Sequence, residues 1–504
     1  MSGVAQRRSI LNLQALPPLA LFLLGLAIIW APGRPAMVDI SQHSAEIAMW
    51  RDLILGRSAW AADLRVDLAT PYFLGYALAL PLALVMTPLA AIKVVLTAAY
   101  AAFGLIGRAI GGELDAPASL DSYYFIPFFS VAWSYGMFPF LVAAPLGLGL
   151  IWASLRYARG GGAVRGLLVS VLGLATLLSH AFVFVFAMAV GAGLVAVSGR
   201  PLRRLIPMAW PFVAPSFVCL LLFFHATGSE AASVGHYGLR VHAGPAILRA
   251  GAILGGSFDA WSAPWSWSVG VGLYFLPFIC GLRVAPKRGE AWIIAGALVA
   301  IIALTPLEIM EMWIYPRFSL FVLPAYAWLF ARPSAPSSPL AAWLTPRIGL
   351  FAAILGGFGL IQHINEQRAF SREAQDFDGV LARAAPGRRA LSLVYDQQSA
   401  IAVNPLVYLH FPQWYAVEKG GFVDLSFAED PHEVVRFSHA PPPPYDDVKF
   451  EMTNHPSRPV DPARWSYIFV RGRIPPGIFA GCQPVQIAAE GSWRLLAPRP
   501  CPPK

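Results

Sequence analysis

An all-α polytopic membrane bundle of about eleven transmembrane helices, followed by a small external α/β domain, is the fold class this sequence predicts. Three observations carry it. Only 13% of the 504 residues are charged and 57% are hydrophobic, where soluble domains carry roughly 25% charged residues. The apolar residues fall in long uncharged runs, which a bilayer requires and a soluble core does not. After about residue 366 the pattern changes, with more charges and prolines and only short apolar runs.

The long runs place spans near 15–31, 70–87, 89–107, 133–155, 166–179, 181–198, 205–224, 266–282, 291–305, 318–331 and 346–364. Orientation follows from the basic residues. Arg7/Arg8, Arg156/Arg159/Arg165, Arg200/Arg203/Arg204, Arg283/Lys287/Arg288 and Arg332/Arg347 all fall on one side under this count. That side is the cytoplasm by the positive-inside rule. The chain is thus expected in the inner (plasma) membrane, its N-terminus inside and its C-terminal region outside. Arg7 and Arg8 precede an uncleaved first span, since no small-residue cleavage site follows. The opposite, external loops are roughly 32–69, 108–132, 225–265 and 306–317. Residues 122–132 are apolar but too short to span, and read as a re-entrant or interfacial piece buried in protein. The run 166–198 is too long for one span and turns at His180.

Residues 1–366 therefore form the membrane domain, with external loop helices at about 40–66, and 367–504 the external domain. In the latter, 390–395, 422–427, 465–470 and 485–489 alternate as strands, and Pro441 to Pro444 form a polyproline linker or loop. Cys219 and Cys280 lie in apolar spans and read as packing. Cys482 and Cys501 lie in the exported region, where a disulfide between them is chemically favoured. A net charge of +9 is accounted for by the basic loops. No basic stripe with interleaved aromatics points to nucleic acid.

The chemistry concentrates just after the first span. Asp39, His43, Glu46 and Trp50 stand at i, i+4, i+7 and i+11, one stripe of a helix over about 40–56. Asp39 and Gln42 form a capping box, so Asp39 reads both as an N-cap and as a catalytic acid. His43 and Glu46 read first as a solvated face, with a catalytic part as the alternative. The spacing also permits a divalent cation on Asp39, His43 and Glu46. It lacks the His-Glu-x-x-His zinc pattern. Asp63 and Asp67 follow. The loop 225–265 adds His225, His236, Arg240 and His242, solvated or part of a lid, and Trp261, Trp265 and Trp267, an interface belt or a sugar platform.

An acidic residue on a short interfacial helix after span one resembles the GT-C superfamily of integral-membrane glycosyltransferases. So do Thr70-Pro71-Tyr72-Phe73 at a span start, the Gly-aromatic turn of Trp133–Phe140, Leu178-Ser179-His180 at a span end and Pro316-Arg317-Phe318 opening a late span. The acids depart from the family pattern: Asp39 and Glu46 stand seven apart with His43 between them, where the family usually has an adjacent pair.

The resemblance implies transfer of a sugar from a polyprenyl-phosphate carrier to an external acceptor: a glycan, a lipid or a protein. Asp39 is then the candidate base, with Glu46 and His43 in support. Arg317 and His180 are candidates for gripping the carrier phosphate, with Arg240, His242, Asp63 and Asp67 as further substrate contacts. Arg317 would otherwise pair with Glu308 or Glu311. Two other readings compete. A transporter or flippase would place ionisable groups near the bilayer midplane; Lys93 is the main such residue here. A non-catalytic scaffold of the same fold would keep the architecture without the chemistry.

Overall fold

The computed structural model describes residues 2–237, 241–258, 264–285, 289–309, 312–331, 338–430, 432–438, 459–480 and 483–499, the side chains of 2–13 and 226–237 excepted. The chain forms two compact units. A helical unit takes Met1–Ala31 and Leu96–Asn365, and a sheet unit takes Pro32–Val95 and Glu366–Lys504.

Among the described residues, four helices are long and apolar enough to cross a membrane: Pro88–Glu113, Phe138–Gly160, Leu202–His225 and Pro339–Ala382. Shorter apolar helices include Gln14–Trp30, Ala163–Leu177, Ala181–Ala196 and Gly289–Leu304. In the helical unit, Glu113 pairs with Arg156 at 3.6 Å and Arg159 at 3.2 Å, and Arg159 reaches Glu290 at 3.4 Å. Helices Pro88–Glu113 and Phe138–Gly160 therefore finish at the same end of this unit. Residues 114–137 must run back along the length of the second helix, about 34 Å at 1.5 Å per residue.

They do so in pieces: Ala118–Tyr124 and Pro127–Phe129 as 3₁₀ turns, then Val131–Ser134. Every residue from 120 to 140 is buried. Broken backbone at membrane depth must find its hydrogen bonds within the protein. Here the Tyr100 hydroxyl lies 3.0 Å from Phe125 O, Ser122 Oγ donates to Gly349 O and the Tyr123 hydroxyl to Leu273 O. Gly104, Gly107 and Gly111, at spacings of three and four, open a groove for this segment on one helix face. A Cβ on Gly104 would sit 2.2 Å from the Phe125 ring, and one on Gly111 2.5 Å from the Tyr124 hydroxyl.

Three expectations are corrected. The segment 108–132 does not begin opposite the basic loop 156–165, because Glu113 meets Arg156 and Arg159. The run 70–87 is not a span: it holds the eleven-residue helix Phe73–Ala83, about 16 Å long, inside the sheet unit. That helix packs on Ile40–Ile54, with Trp50 6.3 Å from Phe73. Hydropathy reads a short buried helix and a marginal span alike. Nor is 225–265 an open loop, since it contains the end of the helix Trp210–Tyr237, the strand Val241–His242 paired with Glu308–Ile309, and the helix Ala246–Leu254.

In the sheet unit, five strands among the described residues lie in the order Val485–Glu490, Trp493–Ala497, Tyr467–Arg471, Arg389–Val394, Phe422–Val423. The last three are mutually parallel, and a hairpin closes the other edge. The expected strand 422–427 stops at Val423, as Leu425 takes φ +56°. The strand Trp493–Ala497 was not expected. It turns on Ser492 and on Gly491 at φ +51°, too short a signal to stand out. The helix Gln375–Ala382 lays Phe377 against Trp493 and Phe469, at 4.8 and 5.4 Å. Arg34 ties the early segment to this core: it pairs with Asp378 and with Glu418 and lies 4.9 Å over Trp414.

The glycine groove generates a stability prediction. Gly104→Val forces Phe125 out of its seat, an overpacking cost of about 1–3 kcal/mol. Gly112→Val, whose Cβ meets nothing within 4 Å, serves as the control. Thermal unfolding in detergent should show a lowered midpoint for the first variant alone. Equal loss in both would refute the packing argument.

Candidate functional site

The helix Ile40–Ile54 is buried along its first turns, from Ile40 to Ala48. Its polar residues are therefore not a solvated face, and this corrects the expectation for His43 and Glu46. A polar group taken from water needs a partner. The partners come from the C-terminal part of the same unit.

Asp39 starts the helix but makes no side-chain cap, so the capping-box reading is overturned. Gln42 does not reach back to complete a box. Its Nε2 donates to Leu425 O and to His410 Nδ1 at 3.1 Å, and its Oε1 accepts from Phe427 N. The carboxylate of Asp39 instead faces the His410 ring, Oδ1 to Nε2 at 3.4 Å, and keeps 21% of its side-chain surface exposed. Asp39 thus combines an anchored backbone with a reachable carboxylate. Ala36, three residues earlier, is fixed by Gln367, whose Oε1 accepts from its N–H at 2.8 Å.

Glu46 and His43 join a buried chain. Oε1 of Glu46 accepts the backbone N–H groups of Val434 and Val435, at 2.6 and 2.9 Å. The Tyr76 hydroxyl donates to Glu433 Oε2 at 2.9 Å, and His43 Nδ1 lies 2.6 Å from that hydroxyl. Burial raises both carboxyls above the usual range, and Glu433 more so, because the Glu46 charge faces it while two amides offset the cost at Glu46. No group of three metal-ligating side chains exists among the described residues. The expected set Asp39, His43, Glu46 fails as a metal site because His43 and Glu46 turn to Tyr76, Glu433 and backbone amides.

Asp67 is engaged in structure: its Oδ2 pairs with Arg436 at 3.0 Å and its Oδ1 accepts from Ala69 N. Asp63 precedes the strand Leu64–Val66, which pairs with Val435–Phe437. These two acids edge the same segment that seats Glu46.

In the helical unit, His180 and Arg317 come together. His180 caps the helix Ala181–Ala196, its Nδ1 accepting from Phe182 N at 3.2 Å. An accepting Nδ1 leaves the proton of a neutral ring on Nε2. That nitrogen lies 3.3 Å from Arg317 Nη1. Both residues are buried. The guanidinium donates from Nε to Trp313 O and sits between the rings of Phe140 and Phe182, at 5.7 and 5.3 Å.

The remaining residues separate. His242 is exposed on the strand Val241–His242, opposite Glu308, and His225 is exposed. Trp265, half-buried, packs on Phe258, Phe358 and His363. Arg240, Trp261, Glu311, Cys482, Cys501 and Pro441 to Pro444 lie outside the described residues, as does the side chain of His236. Cys219 and Cys280 are free thiols. Sequence reasoning missed His410, Tyr76 and Glu433. Tyr76 and His410 stand among apolar residues and Glu433 in a charged run, and no local spacing links any of them to the helix they serve.

Comparison with solved structures gives the fold. ArnT from Cupriavidus metallidurans bound to undecaprenyl phosphate matches with a TM-score of 0.53 at 10% identity, covering 97% of each chain. Its apo state matches with a TM-score of 0.52 at 11% identity, covering 98% of each chain. The mycobacterial arabinofuranosyltransferase AftD aligns over 96% of this chain and 41% of its own, with 14% identity and a TM-score of 0.44. No family model matches the chain, and no curated protein matches it in sequence. The chain has the fold of ArnT.

The buried acid pair generates a pH prediction. A carboxyl whose folded value is raised contributes its full share of stability below the unfolded value, about 4.5, and loses it as pH rises toward the folded value. Glu433→Gln removes that loss and keeps an acceptor for Tyr76. The variant should gain thermal stability over the parent as pH rises from 5 to 8, the gap narrowing toward pH 5. A gap independent of pH would contradict a raised Glu433 carboxyl.

Proposed function

We propose that this protein is an integral-membrane glycosyltransferase that moves a sugar from a polyprenyl-phosphate carrier to an acceptor on the external face. The observation that carries the reading is the buried pairing of Arg317 with His180. A rigid guanidinium and a capped imidazole, desolvated between aromatic rings, suit a phosphate at a span end. The fold is shared with ArnT, whose structure holds undecaprenyl phosphate.

Asp39 is the base in this reading. The acceptor oxygen attacks the anomeric carbon as its proton passes to the Asp39 carboxylate. The bond between that carbon and the carrier phosphate breaks, and its electron pair stays on the phosphate oxygen. In the helical unit, Arg317 and His180 have the chemistry to grip a phosphate. Glu46 and His43 support Asp39 indirectly by fixing the helix it starts. A carboxylate with a fifth of its surface exposed is accessible to an acceptor, whereas the buried Glu46 is not.

Each part has its own test. Asp39→Asn should lower sugar transfer by about 10²–10⁴-fold while leaving membrane insertion and thermal unfolding unchanged. Normal transfer by this variant would sink the base assignment. Arg317→Lys keeps the charge but loses the fork, and should weaken retention of undecaprenyl phosphate by about tenfold, read by native mass spectrometry from detergent. Parental retention by Arg317→Lys would remove the phosphate grip.

A further inference from the structure

His410 stands 371 residues after Asp39 in the chain and yet faces it, and the hydrogen bonds around it decide what it presents. The N–H of Phe427 needs an acceptor, which turns the Gln42 amide so that its Oε1 receives that bond at 3.2 Å. Nε2 of Gln42 then faces Leu425 O and His410 Nδ1. An amide nitrogen only donates, so Nδ1 accepts and carries no proton. The proton of the neutral ring sits on Nε2, the nitrogen 3.4 Å from Asp39 Oδ1. Ser41 Oγ, one residue before Gln42, donates to the carbonyl of His410 at 2.8 Å. The ring edge rests on Phe427 at 5.4 Å. Backbone, tautomer and ring plane of His410 are thus all fixed by the helix that Asp39 begins.

We infer that His410 is a positioning residue for Asp39: its Nε2–H holds Oδ1 and so orients the carboxylate that takes the acceptor's proton. The inference rests on Asp39 acting as base. Burial pushes the His410 ring down to about 3, so it serves as a neutral donor throughout the physiological range. This matters chemically, because an imidazolium or guanidinium in its place would quench the basicity of the carboxylate, whereas a neutral N–H orients it and leaves it charged. At 3.4 Å the contact is longer than a strong hydrogen bond, and catalytic contacts commonly tighten only when substrate is bound.

Two measurements test it on the full-length protein in detergent. The first needs no substrate: labelling of Asp39 by a water-soluble carbodiimide, followed against pH by peptide mass spectrometry. Only the protonated carboxyl is activated. His410→Phe removes the donor that favours the charged form, so the labelling midpoint should move up by about one pH unit. His410→Gln, which keeps an N–H, should restore most of the difference. The second is release of radiolabelled sugar from a panel of short-chain polyprenyl-phosphate pentoses and hexoses. His410→Phe should lower kcat by about tenfold with KM for the carrier unchanged, and its acid limb should move with the labelling midpoint. Should His410→Phe fail to fold, His410→Ala removes the same donor and is read in the same way.

A midpoint that stays in place overturns the inference whatever transfer does. An unchanged kcat in His410→Phe beside an inactive Asp39→Asn overturns it too, and leaves the base reading intact. An active Asp39→Asn instead ends the base reading, and with it any catalytic role for His410.

Discussion

A helix that buries its polar face must be given partners, and this constraint organises the sheet unit. Ser41, Gln42, His43 and Glu46 are all nearly inaccessible. Leaving any of them unpaired would cost about 1–3 kcal/mol or more. The chain supplies their partners from 410–435. Gln42 is satisfied by the turn at 425–427, Glu46 by the amides of Val434 and Val435, and His43 through Tyr76 and Glu433. Each bond fixes the rotation and height of the helix, so the position of its first residue, Asp39, follows. The Asp39 carboxylate is the part of this network that stays exposed.

The helical unit solves a related problem in a different solvent. Residues 114–137 travel along the unit without forming a continuous helix, so their backbone groups must be met by neighbours. Glycines on Pro88–Glu113 let the segment approach closely enough for that. The same demand appears at His180, whose Nδ1 takes up an otherwise orphaned helix N-terminal amide. That bond fixes the tautomer beside Arg317. In both units a structural hydrogen bond decides the protonation pattern of a histidine at a chemically relevant place.

Much of this was legible along the chain. Charge depletion and long apolar runs identified the membrane helices, and the change after residue 366 marked the sheet. Asp39, His180 and Arg317 stood out because a polar residue beside a span is costly without a purpose. The misreadings had a common origin. The run 70–87 is apolar, but its helix Phe73–Ala83 is too short to span, and Asp39 with Gln42 has the spacing of a cap. In both cases the local pattern was correct, but a distant partner competed for the same surface or side chain. Gln42 gives up its cap because Leu425, Phe427 and His410 offer it three bonds. The strand Trp493–Ala497 and the residues Tyr76, Glu433 and His410 had no local signature at all.

The sequence by itself therefore determined which segments prefer an apolar environment and which side chains are expensive to place there, since both properties belong to single residues and their near neighbours. Tertiary structure alone decided what those side chains do. It turned the stripe of Asp39, His43 and Glu46 into one reachable carboxylate and two buried anchors, because segments more than 360 residues away in the chain bring the donors and acceptors that hold them. Hydrogen bonds over such separations leave no periodicity in a sequence; they exist only once the chain has folded back on itself.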